Sequence, residues 1–282
     1  MSKTAFVVDS TAYIPPNQVQ QFDITVIPQV LIWDDQTLLD GVDIQPTAFY
    51  ERLRDSKTMP TTSQATIGTF KEVFKPLVEA GRPILAILVS DKLSGTIQSA
   101  EQAKAEFPEA KIVVVDSEAA AMALGFQVLA AARGAREGKS FEQVTEIARR
   151  AKEQTGVLLV VDTLEFLHRG GRIGGASRLI GTALSMKPVL ELQDGVLDVV
   201  EKVRTRSKAQ AKLLDILEER IDGRPNLRLA VLHAAAEQQA RDLLEIAVNR
   251  LNPVETIFSE VSPVVGTHVG PGTLGLCYSV VS

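Results

Sequence analysis

Residues 83–117 read PILAILVSDKLSGTIQSAEQAKAEFPEAKIVVVDS, and this stretch decides the fold. Residues 84–89 are an unbroken apolar run of strand length. Residues 95–107 carry a helical pattern, and residues 112–115 are a second apolar run without alternation. Strands that are apolar at every position are buried on both faces, the mark of a parallel sheet covered by helices. The pattern extends outward on both sides. Residues 4–8 and 27–33 read as strands. Residues 46–55, 66–80, 119–136 and 141–152 read as helices, with Pro46 at an early helical position and Ser140 as an N-cap.

The second half reads differently. Residues 156–161 are a strand, and residues 163–168 a short helix ending at Gly170-Gly171. Residues 187–192 and 196–203 flank Asp194-Gly195, a two-residue hairpin turn. Helices over 207–221 and 237–251 alternate with strands over 227–233, 254–261 and 273–280. The expected architecture is α/β in two domains. Residues 1–155 hold a mostly parallel sheet with helices on both faces, and residues 156–282 a smaller α+β layer.

Four short motifs each follow an apolar run: Asp9-Ser10-Thr11, Thr61-Thr62-Ser63-Gln64, Leu93-Ser94-Gly95-Thr96 and Asp116-Ser117. In a parallel sheet the segments after successive strands gather along one edge. Small hydroxyls and helix-start amides gathered there suit a negatively charged or polar head group. Each motif alone is equally an ordinary helix cap; Ser94, for instance, suits the N-cap of the helix that follows it. Their number on one edge favours a ligand site. Gly266-Thr267-His268-Val269-Gly270-Pro271-Gly272 adds a histidine in a glycine-rich loop, placed to donate a hydrogen bond to an oxyanion. His168 reads as a helix-end residue and His233 as a strand-end residue.

Gly170-Gly171-Arg172-Ile173-Gly174-Gly175 lacks the Gly-Lys-Ser/Thr ending of a phosphate-binding loop. It reads either as a helix C-cap with a tight turn or as a rigid mount aiming the Arg172 fork at an anion, with Arg204 nearby. A Ser94/His268 nucleophile–base pair, acting as a hydrolase or transferase on a lipid or small molecule, is the alternative. No Gly-x-Ser-x-Gly elbow accompanies it. No metal-binding motif is present.

The chain has 282 residues, 45% of them apolar and 23% charged, as in ordinary globular proteins. A net charge of −5 without a basic run argues against nucleic acid as a partner. The single cysteine, Cys277, excludes an internal disulfide and a cysteine metal cluster. No signal peptide and no membrane-spanning run are read, so the expected location is cytoplasmic, with at most transient membrane contact.

The motifs in this order resemble the DegV family of fatty-acid-binding proteins. The resemblance rests on Val8-Asp9-Ser10-Thr11-Ala12, Thr61-Thr62-Ser63-Gln64 with Gly68-Thr69-Phe70, and Leu93-Ser94-Gly95-Thr96-Ile97-Gln98-Ser99-Ala100. It continues through Val114-Val115-Asp116-Ser117, Gly170-Gly171-Arg172-Ile173, Lys187-Pro188 and Gly270-Pro271-Gly272-Thr273-Leu274-Gly275. Tyr13-Ile14-Pro15 stands where Asp-Leu-Pro is usual, and Ala65 where Pro often follows Ser-Gln. The resemblance implies two α/β domains enclosing a long acyl chain and no cofactor. It implies that Thr62, Ser94 with the Gly95 amide, and His268 surround the carboxyl group, with Ser10, Thr11, Ser63 and Ser117 as secondary candidates. It also implies that the bound fatty acid is presented to a separate ATP-binding fatty-acid kinase subunit, which makes the acyl phosphate. Arg172 and Arg204 match arginines linked to that presentation. Burying about 15 methylenes at ~0.8 kcal/mol each offers up to ~12 kcal/mol before entropy costs, so apolar walls suffice for affinity.

Overall fold

The computed structural model describes residues 4–179 and 186–281. β1 (Ala5–Asp9) leads through α1 (Pro16–Phe22) to β2 (Ile24–Ile27). β3 (Val30–Trp33), β4 (Gln36–Leu39), α2 (Pro46–Asp55) and β5 (Thr61–Ser63) follow. Then come α3 (Ile67–Glu79), β6 (Ile84–Leu88), α4 (Thr96–Lys104), β7 (Ile112–Asp116), α5 (Ala121–Arg136) and α6 (Phe141–Ala151). The second half runs β8 (Thr155–Val160), α7 (Glu165–Arg169), β9 (Lys187–Gln193), β10 (Val196–Val203) and α8 (Arg206–Ile221). It ends with β11 (Arg228–His233), α9 (Glu237–Leu251), β12 (Glu255–Glu260), α10 (Pro263–Val269) and β13 (Leu274–Ser279).

The first sheet is parallel, in the order β2-β1-β6-β7. Alternate residues of each strand point to opposite faces. Ala5 and Val7 of β1 pack with Phe70 and Phe74 of α3 and Ala100 of α4. Phe6 and Val8 pack on the other side with Met122 and Phe126 of α5. Both faces are covered, which is why residues 84–88 carry no polar position.

The second sheet has six strands in the order β10-β9-β8-β13-β11-β12, antiparallel except for the β11–β12 pair. Its two faces serve two cores. Leu158, Leu229 and Leu276 sit with Leu213 of α8 and Leu243 of α9. Val157, Leu159 and Leu232 point the other way, into the core shared with the first sheet. α5 lies between the sheets and touches β1, β6, β8 and β13. It is apolar around most of its circumference because both sides are buried. Gly125 permits the approach: a Cβ there would stand 2.6 Å from the Ala12 carbonyl oxygen.

Three local readings are corrected. Residues 27–33 are not one strand. Ile27 ends β2, and Val30 begins β3 in a separate antiparallel sheet of order β4-β3-β5. Pro28, which has no N–H to give a ladder, stands at the break. Thr61-Thr62-Ser63 is therefore a short strand of that small sheet, not a loop on the parallel sheet edge. His268 lies in the last turn of α10 and not in a loop. Gly266 looks like loop chemistry but is required by packing inside that helix: a Cβ would stand 2.5 Å from the Tyr50 hydroxyl.

Candidate ligand-binding site

The carboxyl end of the parallel sheet is organised by a buried carboxylate. Asp9 accepts hydrogen bonds from Thr11 N (3.0 Å), Thr11 Oγ1 (2.6 Å) and Val89 N (2.7 Å). These tie the turn after β1 to the end of β6. Beyond them opens a cavity bounded by the inner face of the second sheet, by α10 and by β5. Its volume is about 130 Å³. Val157, Leu159, Leu192, Leu197 and Leu232 give it apolar walls.

The polar groups gather at Thr62, Ser94, Arg172 and His268, all on the cavity lining. Thr62 Oγ1 and His268 Nε2 are 2.8 Å apart. Burial, reinforced by the positive charge of Arg172, pushes the His268 pKa down to about 4, so the ring is neutral near pH 7. Its Nδ1 is buried without a hydrogen-bond partner among the described residues. Nδ1 faces Gly170, where a Cβ would stand only 2.1 Å away. A proton on Nδ1 would be a buried donor without an acceptor, so we assign the ring proton to Nε2, which then donates to Thr62 Oγ1.

Arg172 does not aim its fork at a single anion. Its Nε donates to the Leu93 carbonyl at 3.0 Å and its Nη1 to the Gly170 carbonyl at 2.7 Å. It thereby clamps the Ser94 loop against the segment that backs His268. Ser94 is not the cap of α4. Gly95 occupies that position without a side-chain cap, and Ser94 Oγ meets Thr96 Oγ1 at 2.8 Å. The start of α10 is held by Asp40, which accepts from Val264 N at 3.3 Å and Ser10 Oγ at 2.6 Å. Burial pushes the Asp40 pKa up to about 6.

Six of the sequence candidates therefore line the cavity: Thr62, Ser94, His268, the secondary candidates Thr11 and Ser63, and, unexpectedly as a wall residue, Arg172. The others are elsewhere. Gly95 is not on the lining; its missing Cβ makes room for the Gln64 side chain, 3.2 Å from where that atom would be. Ser10 is turned onto Asp40, and Ser117 closes its own turn with the Ala119 carbonyl at 3.1 Å. Arg204 is exposed just before α8. Sequence reasoning missed Gln29, which is buried on the lining and carries no motif signal beyond following Pro28.

Ser94 and His268 form no hydrogen bond with each other; Ser94 pairs with Thr96, and His268 with Thr62. The contact that a nucleophile and its base require is not made. Among the described residues, no three His, Cys, Asp or Glu side chains are grouped to hold a metal ion. No helix among them is long and apolar enough to cross a membrane.

A parallel sheet and a mixed sheet closing on an apolar cavity with a polar end define an α/β protein built to enclose something. The DegV family model ("Uncharacterised protein, DegV family") matches residues 3–281. The chain belongs to the DegV family. It is 38% identical over 277 residues to a DegV domain-containing protein of Streptomyces coelicolor, covering 98% of each chain. It superposes with a TM-score of 0.93 on a fatty-acid-binding DegV family protein from Thermus thermophilus, at 34% identity, covering 98% of this chain and 99% of that one. DegV of Bacillus subtilis, a fatty-acid-binding protein, superposes with a TM-score of 0.91 at 33% identity, covering 99% of both.

Proposed function

We propose that this protein binds a long-chain fatty acid in the cavity, with the carboxylate at Thr62 and Ser94 and with His268 holding Thr62 from behind, and presents it to a separate ATP-dependent kinase for acyl-phosphate formation. The observation that carries the binding site is the Thr62–His268 pair at the polar end of an apolar cavity. An ionised carboxylate is costly to bury without partners, so hydroxyl donors and the Arg172 charge are needed there. The likeness to fatty-acid-binding relatives supports the ligand class. In this reading residues 1–155 supply the head-group loops and residues 156–282 help enclose the chain, in the cytoplasm. Presentation to the kinase rests on the family resemblance. It links both Arg172 and Arg204 to that presentation; Arg204 is exposed near α8, where the kinase can meet it, and Arg172 acts through the Ser94 loop it clamps.

The test is denaturing lipid extraction of the purified protein with mass spectrometry, alongside native mass. One C14–C18 fatty acid per chain is expected. An empty protein that takes up no added fatty acid sinks the reading. The kinase step is tested by acyl-phosphate yield with a fatty-acid kinase subunit. Arg204→Ala is expected to keep binding and lose yield; equal yield removes Arg204 from that surface.

A further inference from the structure

Gln29 is buried between three segments of the site, and its hydrogen bonds have a readable direction. Its Oε1 accepts from Ala65 N at 3.0 Å, a backbone group that can only donate. The amide orientation is therefore fixed. Nε2 must donate to Thr96 Oγ1, 2.9 Å away.

Thr96 is fully buried, and its oxygen already receives the Gln29 proton. Its own proton needs an acceptor, since a buried donor left unpaired is costly. Among the described residues, that acceptor is Ser94 Oγ at 2.8 Å. Ser94 therefore accepts from Thr96, and its own proton is left for the cavity it lines. Thr62 is arranged the same way: its oxygen receives the His268 Nε2 proton, and its O–H is left for the cavity.

We propose that Gln29 and Thr96 are positioning residues that commit the Ser94 hydroxyl to donating, so that the polar end of the cavity is a two-donor socket selecting head groups that accept hydrogen bonds. The proposal deepens the fatty-acid reading and rests on it. A carboxylate accepts from both hydroxyls. An alcohol of the same chain length is uncharged, so the bonds it accepts from the two hydroxyls are the weaker kind, and its own proton finds only the one lone pair left on each hydroxyl oxygen.

The test compares tetradecanoate with tetradecanol, delivered from cyclodextrin at pH 8, by titration calorimetry. Both share one chain and one pocket, so a general loosening of the fold weakens them alike and leaves their affinity ratio unchanged. Thr96→Val frees the Ser94 lone pair that Thr96 engaged and lets the hydroxyl turn to accept, and is expected to lower the acid-to-alcohol ratio about tenfold, about one hydrogen bond's worth. Thr96→Ser restores the ratio. Thr96→Ala is read the same way, so a folding failure of the valine variant still leaves a decision. A ratio unmoved in a folded variant overturns the relay while leaving fatty-acid binding in place. Wild-type protein that takes up neither ligand removes the fatty-acid reading and the relay together.

Discussion

Thr62 Oγ1 and His268 Nε2 lie 2.8 Å apart, joining residues 206 positions apart in the chain. The bond crosses from the small sheet to α10 and closes the polar end of the cavity. On the proposed fatty-acid reading, its energetic value lies in ligand binding. The imidazole is buried with one nitrogen unpartnered among the described residues, so it adds little to folding. His268→Ala is expected to weaken fatty-acid affinity by about 10- to 100-fold, the usual worth of a hydrogen bond serving a charged group. Thermal unfolding stays near wild type. Calorimetry and a melting curve on the same sample check both halves; unchanged affinity would remove His268 from the carboxylate site.

Gly170 sets the position of that ring. Its backbone, at φ −76° and ψ −7°, is open to any L-residue, so a substitution there brings no backbone strain. The steric conflict is the whole effect, because a Cβ would stand 2.1 Å from His268 Nδ1. Gly170→Ala is expected to displace the ring from Thr62 and to approach His268→Ala in lost affinity. Combining the two substitutions adds little, because they remove the same contact. Fully additive losses in a double-mutant cycle would show that Gly170 acts elsewhere.

Stability against pH separates two buried groups of opposite sense. His268 is held near pKa 4, below its ordinary 6.5, so between those values the unfolded chain binds the extra proton and stability rises with pH. Asp40 is raised from 3.8 to about 6, so in the same window the folded chain binds the extra proton and stability falls as pH rises. The two slopes oppose each other between about pH 4 and 6. His268→Gln is expected to make the slope of unfolding free energy against pH more negative than wild type there, and Asp40→Asn to make it more positive. Urea melts of ligand-free protein at several pH values give the slopes. Identical slopes in all three proteins would mean that neither group titrates differently on folding.

The legible part of the sequence was the part governed by local rules. Residues 84–89 and 112–115 read as buried strands because both faces are covered, and Ser140 read as a cap and forms a capping box with Gln143. Thr62, Ser94 and His268 were legible through motif resemblance, and the fold brings all three to one cavity. What stayed hidden depends on contacts distant in sequence. Gly266 sits in a helix and is glycine because the Tyr50 hydroxyl leaves no room for a Cβ. Ser10 and Ser117 satisfy Asp40 and the Ala119 carbonyl, partners no motif announces. Gln29 has meaning only once Ala65 and Thr96 stand on either side of it.

The apolar walls should set chain length, and Leu159 is a position to test it. It lies on β8, is almost fully buried, and faces the cavity from the inner side of the second sheet. Leu159→Trp puts a larger side chain into that space, at an overpacking cost of about 1–3 kcal/mol where the wall cannot yield. The head-group residues are untouched, so a fatty acid that still fits keeps its carboxylate contacts. Each methylene excluded forfeits ~0.8 kcal/mol, about fourfold in affinity. The variant is expected to carry shorter fatty acids than wild type after expression, and its affinity optimum across a C12–C18 series should move down by at least one two-carbon step. Mass spectrometry of the extracted lipid gives the first result and calorimetry the second. An unchanged chain-length profile in a folded variant would mean that the acyl chain does not run past Leu159, and would shift attention to the wall that α10 contributes through Val264 and Val265.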